Sequence, residues 1–330
     1  MLDYLQKAPV FHDGEHLIQD QLGVREALAP FAERVIRDHI VEQHSSFYAQ
    51  LPMLNIGALD ETGQPWATAS FGKPGFVSSP DGKTLSVESE ILLASELNLQ
   101  ADRTDKIAIL GLQPYTRRRN RLNGHVVSRT QRGFSIAVDQ SFGNCPQYIQ
   151  KRALEWRVAQ LADRTIRSNE GISNDIALEI RSSDTFFIAS RTKVINDDPR
   201  HGVDVSHRGG RPGFVGIDGD TLFFPDFRGN NYFNTLGNIA SYSRVGLFFP
   251  NFETGNAVFV AGEAQIIWDD ERVASFNGAQ RIVEVKIKRS LMVSNALPLK
   301  GKYIEQWKPL EKTDTWADLE NEYLESAKAL

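Results

Sequence analysis

Residues 206–211, Ser-His-Arg-Gly-Gly-Arg, bring a hydroxyl, an imidazole, two guanidinium groups and two glycine amides together in one short stretch. An arginine can grip two oxygens of a phosphate or carboxylate at once. Ser206, His207, Arg208, Gly209 and Arg211 are therefore candidates for holding an anion. Further on, Pro225 and Asp226 precede Arg228-Gly-Asn-Asn231, which leads into the helical pattern NNYFNTLGNIASY. Free N–H groups and the positive dipole end at a helix start also favour an anion, which adds Asn230, Asn231, Asn234 and Thr235. The same stretch also reads as a solvated turn followed by an ordinary N-cap.

The densest charge in the chain is Arg117-Arg-Arg-Asn-Arg121. Strand alternation puts Arg119, Arg121 and Asn123 on one face. That face is either solvated or the lining of a pocket that receives an anion. Cys145, the single cysteine, follows Asn144 at an expected helix start, where a thiolate would be stabilised. Its neighbours Gln140, Ser141, Asn144 and Gln147 offer hydrogen-bonding side chains. His12 with His16, and His39 with Glu42, have helical metal-ligand spacing but no third ligand beside them, so no metal is expected. The chain contains no G-x-S-x-G, G-x-x-x-x-G-K-[ST] or G-x-G-x-x-G, which argues against a serine hydrolase, a P-loop or a dinucleotide fold.

These residues must be positioned by the surrounding elements. Residues 15–50 carry Val24, Leu28, Phe31, Val35, Ile36 and Ile40 at helical spacing, with Pro30 as an expected break. From Leu51 short apolar segments (MLNIGAL, TLSVES, KIAILGL, FSIAVDQ) alternate with turn signals, as antiparallel strands do. QYIQKRALEWRVAQL reads as a helix entered through Asn144 and Pro146. After a polar linker near 164–175, strand-like segments return: TFFIAS, GFVGI, TLFFPD, VGLFFP and AVFVAGEAQIIW. The stretch from about Trp316 to Leu330 reads as an acidic amphipathic helix.

Composition bounds the class. With 330 residues, 41% hydrophobic and 24% charged, the chain has the profile of a globular protein large enough for two domains or one built twice. A formal charge of −5 makes a nucleic-acid partner a poor expectation. No apolar run is long enough to span a bilayer, and the N-terminal residues lack a leader pattern, so neither a membrane nor export is expected and the cytoplasm is the expected compartment. One cysteine cannot form an intrachain disulfide.

An internal repeat organises the rest. Lys73-Pro-Gly-Phe-Val77 recurs as Arg211-Pro-Gly-Phe-Val215, 138 residues on. The same offset pairs Gly72 with Gly210, Leu85 with Phe223, Ile107 with Val245, Leu110 with Phe248, Leu122 with Val260 and Gly124 with Gly262. Each copy reads as strand, strand, PGFV, strand, helix, strand, hairpin and strand, too closely spaced for parallel crossovers. A mainly β, α+β chain of two small antiparallel barrels follows. The expected divisions are an N-terminal helical segment 1–50, barrels over 51–165 and 166–300, and a C-terminal helical tail 301–330.

Gly63-Gln-Pro-Trp-Ala-Thr-Ala-Ser-Phe-Gly-Lys73, an apolar strand over Ile107 to Leu112 and a strand through Asn123-Gly124 resemble the FMN-binding split barrel of the pyridoxamine 5'-phosphate oxidase family. Ser206 to Val215, Asp226 to Asn238 and Gly143 to Ile149 resemble its long double-barrel branch, and the likeness spans about residues 10–300. It implies tandem split barrels, FMN as cofactor and an oxidoreductase using a small molecule or a donor such as NAD(P)H. The positions matching the family's phosphate-holding arginine and lysine are Ser206 and Thr235, or Thr68 and Leu97 in the first copy, so other groups are expected to meet the phosphate. At the repeat offset, Ser206, His207 and Arg208 stand opposite Thr68, Ala69 and Ser70, and Asn230 and Asn231 opposite Leu92 and Leu93. One FMN, anchored by the second copy, is expected, with His207 as the candidate general acid. The alternatives are a non-catalytic flavin-binding or sensing module, and a haem-binding barrel ligated by His207 or His125. Because split barrels pair to complete a pocket, a duplicated chain can satisfy that need internally, while a homodimer stays open.

Overall fold

The computed structural model describes residues 9–99, 106–157 and 163–320. Three helices open the chain: α1 Asp13–Gln21, α2 Arg25–Val35 and α3 Glu42–Tyr48. Pro30 lies inside α2, where it removes one N–H donor without ending the helix.

Seven antiparallel strands follow: β1 Met53–Leu59, β2 Pro65–Phe71, β3 Val77–Ser78, β4 Thr84–Val87, β5 Lys106–Gln113, β6 Arg118–Thr130 and β7 Gly133–Asn144. They form a sheet in the order β2-β1-β5-β6-β7-β4-β3. After β8 Lys151–Trp156, β9 Thr165–Glu170 and α4 Asn174–Ser182 come β10 Thr185–Arg191, β11 Val203–Gly209, β12 Gly216–Asp218, β13 Thr221–Phe227, α5 Asn234–Ser241, β14 Arg244–Pro250, β15 Ala257–Ile267, α6 Glu271–Ser275 and β16 Ala279–Ser294. The second sheet runs β11-β10-β14-β15-β16-β13-β12, the first order repeated strand for strand. The two sheets even share a register shift, between Asn123 and Gly124 in β6 and between Ala261 and Gly262 in β15. The fold is mainly β with α, built as tandem split barrels.

Each barrel has its own apolar core. Leu54, Ile56, Leu85, Ile109 and Ile136 fill the first, and Phe186, Ile188, Leu222, Leu247 and Val283 the second. A third cluster joins them, with Trp66, Ala67 and Ala69 of β2 meeting Phe187, Val203, Val205, Phe248 and Phe259 of the second barrel. Packing of apolar strand faces against one another therefore sets how the barrels are arranged.

Several local expectations do not hold. The apolar pattern of 147–157 forms strand β8, paired with β17 Leu299–Glu305, in place of a helix. The polar stretch 164–175 contributes β9 to the edge of the second sheet. Where the first copy was expected to carry a helix, residues 92–98 turn irregularly, with Leu93 and Asn98 at positive φ, and residues 100–105 lie outside the described residues. Leu85 corresponds to Leu222 rather than Phe223, because Leu85 and Leu222 both point into their cores whereas Phe223 packs on Trp316. The C-terminal stretch is helical from Trp316 to Glu320, and the expectation for 321–330 lies outside the described residues. Among the described residues, no helix is long and apolar enough to cross a membrane.

Candidate functional site

The barrels face one another with β6 of the first against β11 of the second. Alternation along β6 aims Arg119, Arg121 and Asn123 at β11, so this face is not solvated, and Arg119 and Arg121 line the space between the barrels. Arg121 is only 4% exposed. Its Nη1 lies 2.9 Å from Asp204 Oδ1, and its Nη2 donates to Ser206 Oγ. Asp204 also accepts from Asn123 Nδ2 at 2.8 Å and from Asn238 Nδ2 at 3.1 Å, while Thr235 Oγ1 donates to Ser206 Oγ at 3.0 Å. Ser206 and Thr235 thus meet, and the cation beside them, Arg121, comes from the other barrel.

A second knot lies alongside. Arg208 Nη1 bonds Asp226 Oδ1, and Arg281 Nε lies 3.3 Å from Asp226 Oδ2. Among the described residues no carboxylate pairs with Arg119: its Nε donates to Cys145 O at 2.6 Å and its Nη1 lies 3.2 Å from His207 Nδ1. Burial, with Arg121 next in weight, pulls the Arg119 guanidinium down to about 10. Burial and then Arg119 hold His207 well below the usual imidazole range, so it is neutral. With Nδ1 receiving from Arg119, its proton sits on Nε2, which is buried without a partner. His207 therefore offers a hydrogen bond here and not an acidic proton.

Between these groups lies a cavity of about 110 Å³. Arg119, Asn144, Ser206, His207, Arg208, Gly209, Pro225, Asp226, Asn230, Asn231, Asn234 and Thr235 all line it. Three predicted residues do not. Arg211 points away and bonds Thr313 O at 2.8 Å and Asp318 at 3.3 Å, tying down the C-terminal segment. Ser141 is buried beside Arg37, whose backbone it pairs with. Asn123 stands one layer back, on Asp204. Residues 228–231 do not enter a helix directly. Asn231 and Phe233 take positive φ, and α5 starts at Asn234 with Phe233 as an N-cap that provides no side-chain bond.

Sequence reasoning passed over Tyr148, Phe227, Asp204, Asn238 and Arg281. Tyr148 stacks on Phe227 with ring centroids 5.1 Å apart and donates to Arg228 O at 2.8 Å, closing one side of the cavity. Gly209 permits this, since a Cβ there would lie 2.1 Å from Tyr148 O. Cys145 lines the cavity beside Arg119. On the far side α1 packs on α5 through Gly14 and Gly237, where a Cβ on Gly14 would sit 2.2 Å from Gly237 O. This approach buries Glu15 against Asn234, and burial, with Asp204 next in weight, raises its carboxyl well above the usual range. His12 caps α1, its Nδ1 accepting from the Gly14 N–H at 3.1 Å. His125 is engaged by Asp139 at 3.2 Å, near Lys106 and away from the cavity.

No family model and no curated protein matches this chain. Among solved structures, it is similar to HupZ of Group A Streptococcus at 11% identity, over 36% of this chain and 91% of that one, with a TM-score of 0.29. It is also similar to a candidate pyridoxamine 5'-phosphate oxidase of Lactobacillus delbrueckii (14% identity, 37% and 94% covered, TM-score 0.30). A third is the FAD binding protein of Mycobacterium smegmatis (13% identity, 39% and 98% covered, TM-score 0.24).

Proposed function

We propose that the inter-barrel cleft binds FMN, phosphate end toward Arg208 with Arg281 behind it on Asp226, and that the chain is a flavoprotein oxidoreductase acting on a small molecule. The observation that supports this most is charge balance. Four guanidinium groups, Arg119, Arg121, Arg208 and Arg281, meet two carboxylates, Asp204 and Asp226. Burial pushes the Glu15 carboxyl well above its usual range, which favours its uncharged form. A buried charge without a counter-charge is unfavourable by several kcal/mol, so a surplus of two positive charges calls for a dianion, the charge of a phosphate monoester.

Hydrogen-bonding capacity agrees. Nε of Arg121, Nε of Arg208, Nη1 of Arg281 and Nε2 of His207 are buried donors without partners. The uncapped first turn of α5 adds backbone N–H groups at the cavity wall. The flavin half of the proposal rests on the segments that resemble FMN split barrels. When bound, FMN supplies one- or two-electron transfer. Arg119, Asn144 and the His207 Nε2–H would orient the ring, and the Tyr148–Phe227 stack would exclude water. The enclosed part of the cavity is phosphate-sized, well below the roughly 300 Å³ at which small-molecule pockets begin, so the ring would extend beyond it.

Purified protein should show the two-banded visible spectrum of oxidised flavin, or acquire it on addition of FMN, and FMN should bind more tightly than riboflavin. Protein that takes up no flavin, or that binds the two equally, would overturn the proposal. Steady NAD(P)H turnover by the loaded protein would then separate an oxidoreductase from a non-catalytic flavin module.

A further inference from the structure

Next to the cleft, and sharing Arg119 and Asn144 with it, is an open recess of about 320 Å³. His44, Arg118 and Asn120 give it its character, and none of the residues lining it is acidic. Arg117 forms its rim but is spent on Glu305 at 2.8 Å and on the Ile149 carbonyl. Arg118 is exposed and its guanidinium lies over the Phe47 ring at 5.1 Å, which holds its flat face and leaves its edge available.

Asn120 is the telling residue. It is 6% exposed, and its Nδ2 is a buried donor with no partner. Beside it Gly143 leaves a gap: a Cβ there would stand 3.5 Å from Asn120 Oδ1 and 3.9 Å from His44 Nε2. The Oδ1 end of the amide borders this gap, and a half-turn of the amide brings Nδ2 there instead, so that an amide donor, an imidazole and a guanidinium surround a hollow that a small anion could occupy. Burial, with Arg37 and Arg118 next in weight, lowers the pKa of His44, consistent with a positive local field.

We propose that this recess is the subsite for the anionic group, a carboxylate or phosphate, of the molecule whose other end reaches Arg119 and Asn144 in the cleft. That this molecule is a redox partner rests on the flavin reading above. The oxyanion site itself stands on Asn120, His44 and Arg118 alone.

The test is a titration of FMN-saturated protein with inorganic phosphate and, separately, with acetate, followed by NMR at the Asn120 side-chain amide and the His44 ring. Saturable shifts at both groups are expected. A response to phosphate alone would identify a phosphate subsite, and a response to acetate would extend it to carboxylates. Arg118→Gln should weaken binding by about 3- to 10-fold, the loss expected for a partly screened charge-assisted contact. Gly143→Ala, which makes only ordinary contacts, should also weaken it without unfolding the protein. Arg208→Gln should lower FMN affinity and leave the phosphate response at Asn120 unchanged. If FMN does not bind, the same titration on the protein alone still decides the recess. Unmoved Asn120 and His44 signals, an Arg118→Gln variant equal to wild type, or displacement of phosphate from Asn120 by FMN would each overturn the proposal.

Discussion

The shared strand order gives the molecule two inter-barrel clefts, and they have opposite chemistry. In one, β6 of the first barrel faces β11 of the second; in the other, β15 faces β2. Cross-strand register matches them closely: Arg121 lies opposite Leu110 in its sheet, and Phe259 opposite Phe248 in the other. Arg119, Arg121 and Asn123 therefore correspond to Ala257, Phe259 and Ala261, all buried in the apolar cluster that joins the barrels. Ser206 gathers Arg121 and Thr235, whereas Thr68 and Ser70 donate to the Leu92 and Glu90 carbonyls. Leu92, Leu93 and Leu97 then fill the space that Asn230, Asn231 and Thr235 leave open. One scaffold can thus glue itself together through one cleft while keeping the other polar and underpacked. The apolar cleft provides the cohesion that lets the polar cleft carry uncompensated charge.

The largest expected effect comes from making the apolar cleft resemble the polar one. Phe259→Arg places a guanidinium at the position equivalent to Arg121, but its surroundings supply no Asp204. The fold should lose at least about 3 kcal/mol from the buried unpaired charge, read as a lower urea midpoint, and gain no second flavin site. A stable variant that binds two flavins would break the comparison. Next in size is the anchor. Arg208→Ala should cost roughly 1.5 to 3 kcal/mol, about 10- to 150-fold in FMN affinity, with riboflavin much less affected. The corresponding first-copy change, Ser70→Ala, should leave both affinities alone because its hydroxyl serves only a carbonyl. Equal losses for FMN and riboflavin would move the phosphate toward Arg119 and Arg121.

Where the chain's own pattern was local, the structure was legible in advance. Period-two strands, the repeated Pro-Gly-Phe-Val and the matched glycines Gly124 and Gly262 define the barrels because each signal acts within one strand or one turn. The pairing of β8 with β17 was not legible, since its apolar residues also fit a helix and the deciding partner lies near residue 300. The site divides along the same line. Ser206, Arg208 and Asn230 announce themselves in short strings. Arg281 gave no sign, because Asp226, the group that explains its burial, meets it only across the β13–β16 ladder. Arg211 looked like Arg208 by type and spacing, yet the bend that begins at Gly210 turns it toward Thr313 and Asp318.

The effect that is smallest per step concerns pH, and it too should belong to the polar cleft. His12 caps α1 with its Nδ1, is 5% exposed, and burial lowers its imidazole to about 4. A histidine whose folded pKa lies below its unfolded value of 6.5 contributes stability that is present above 6.5 and lost as pH falls toward the folded pKa. Glu15, raised by burial, has the opposite sign: it contributes below the usual carboxylate range and loses that contribution as pH rises. Between pH 6.5 and about 4 the His12 loss should therefore appear as a slope of at most about 1.4 kcal/mol per pH unit, partly opposed by Glu15. His12→Asn keeps a capping side chain and removes the titration, so its urea midpoint should fall less than that of wild type over this window. Because α1 bears on the site through Gly14, Gly237 and Asn234, FMN affinity should follow the same acid limb and flatten in the variant. Parallel acid profiles for wild type and His12→Asn would place the acid-sensitive group elsewhere and detach α1 from the behaviour of the cleft.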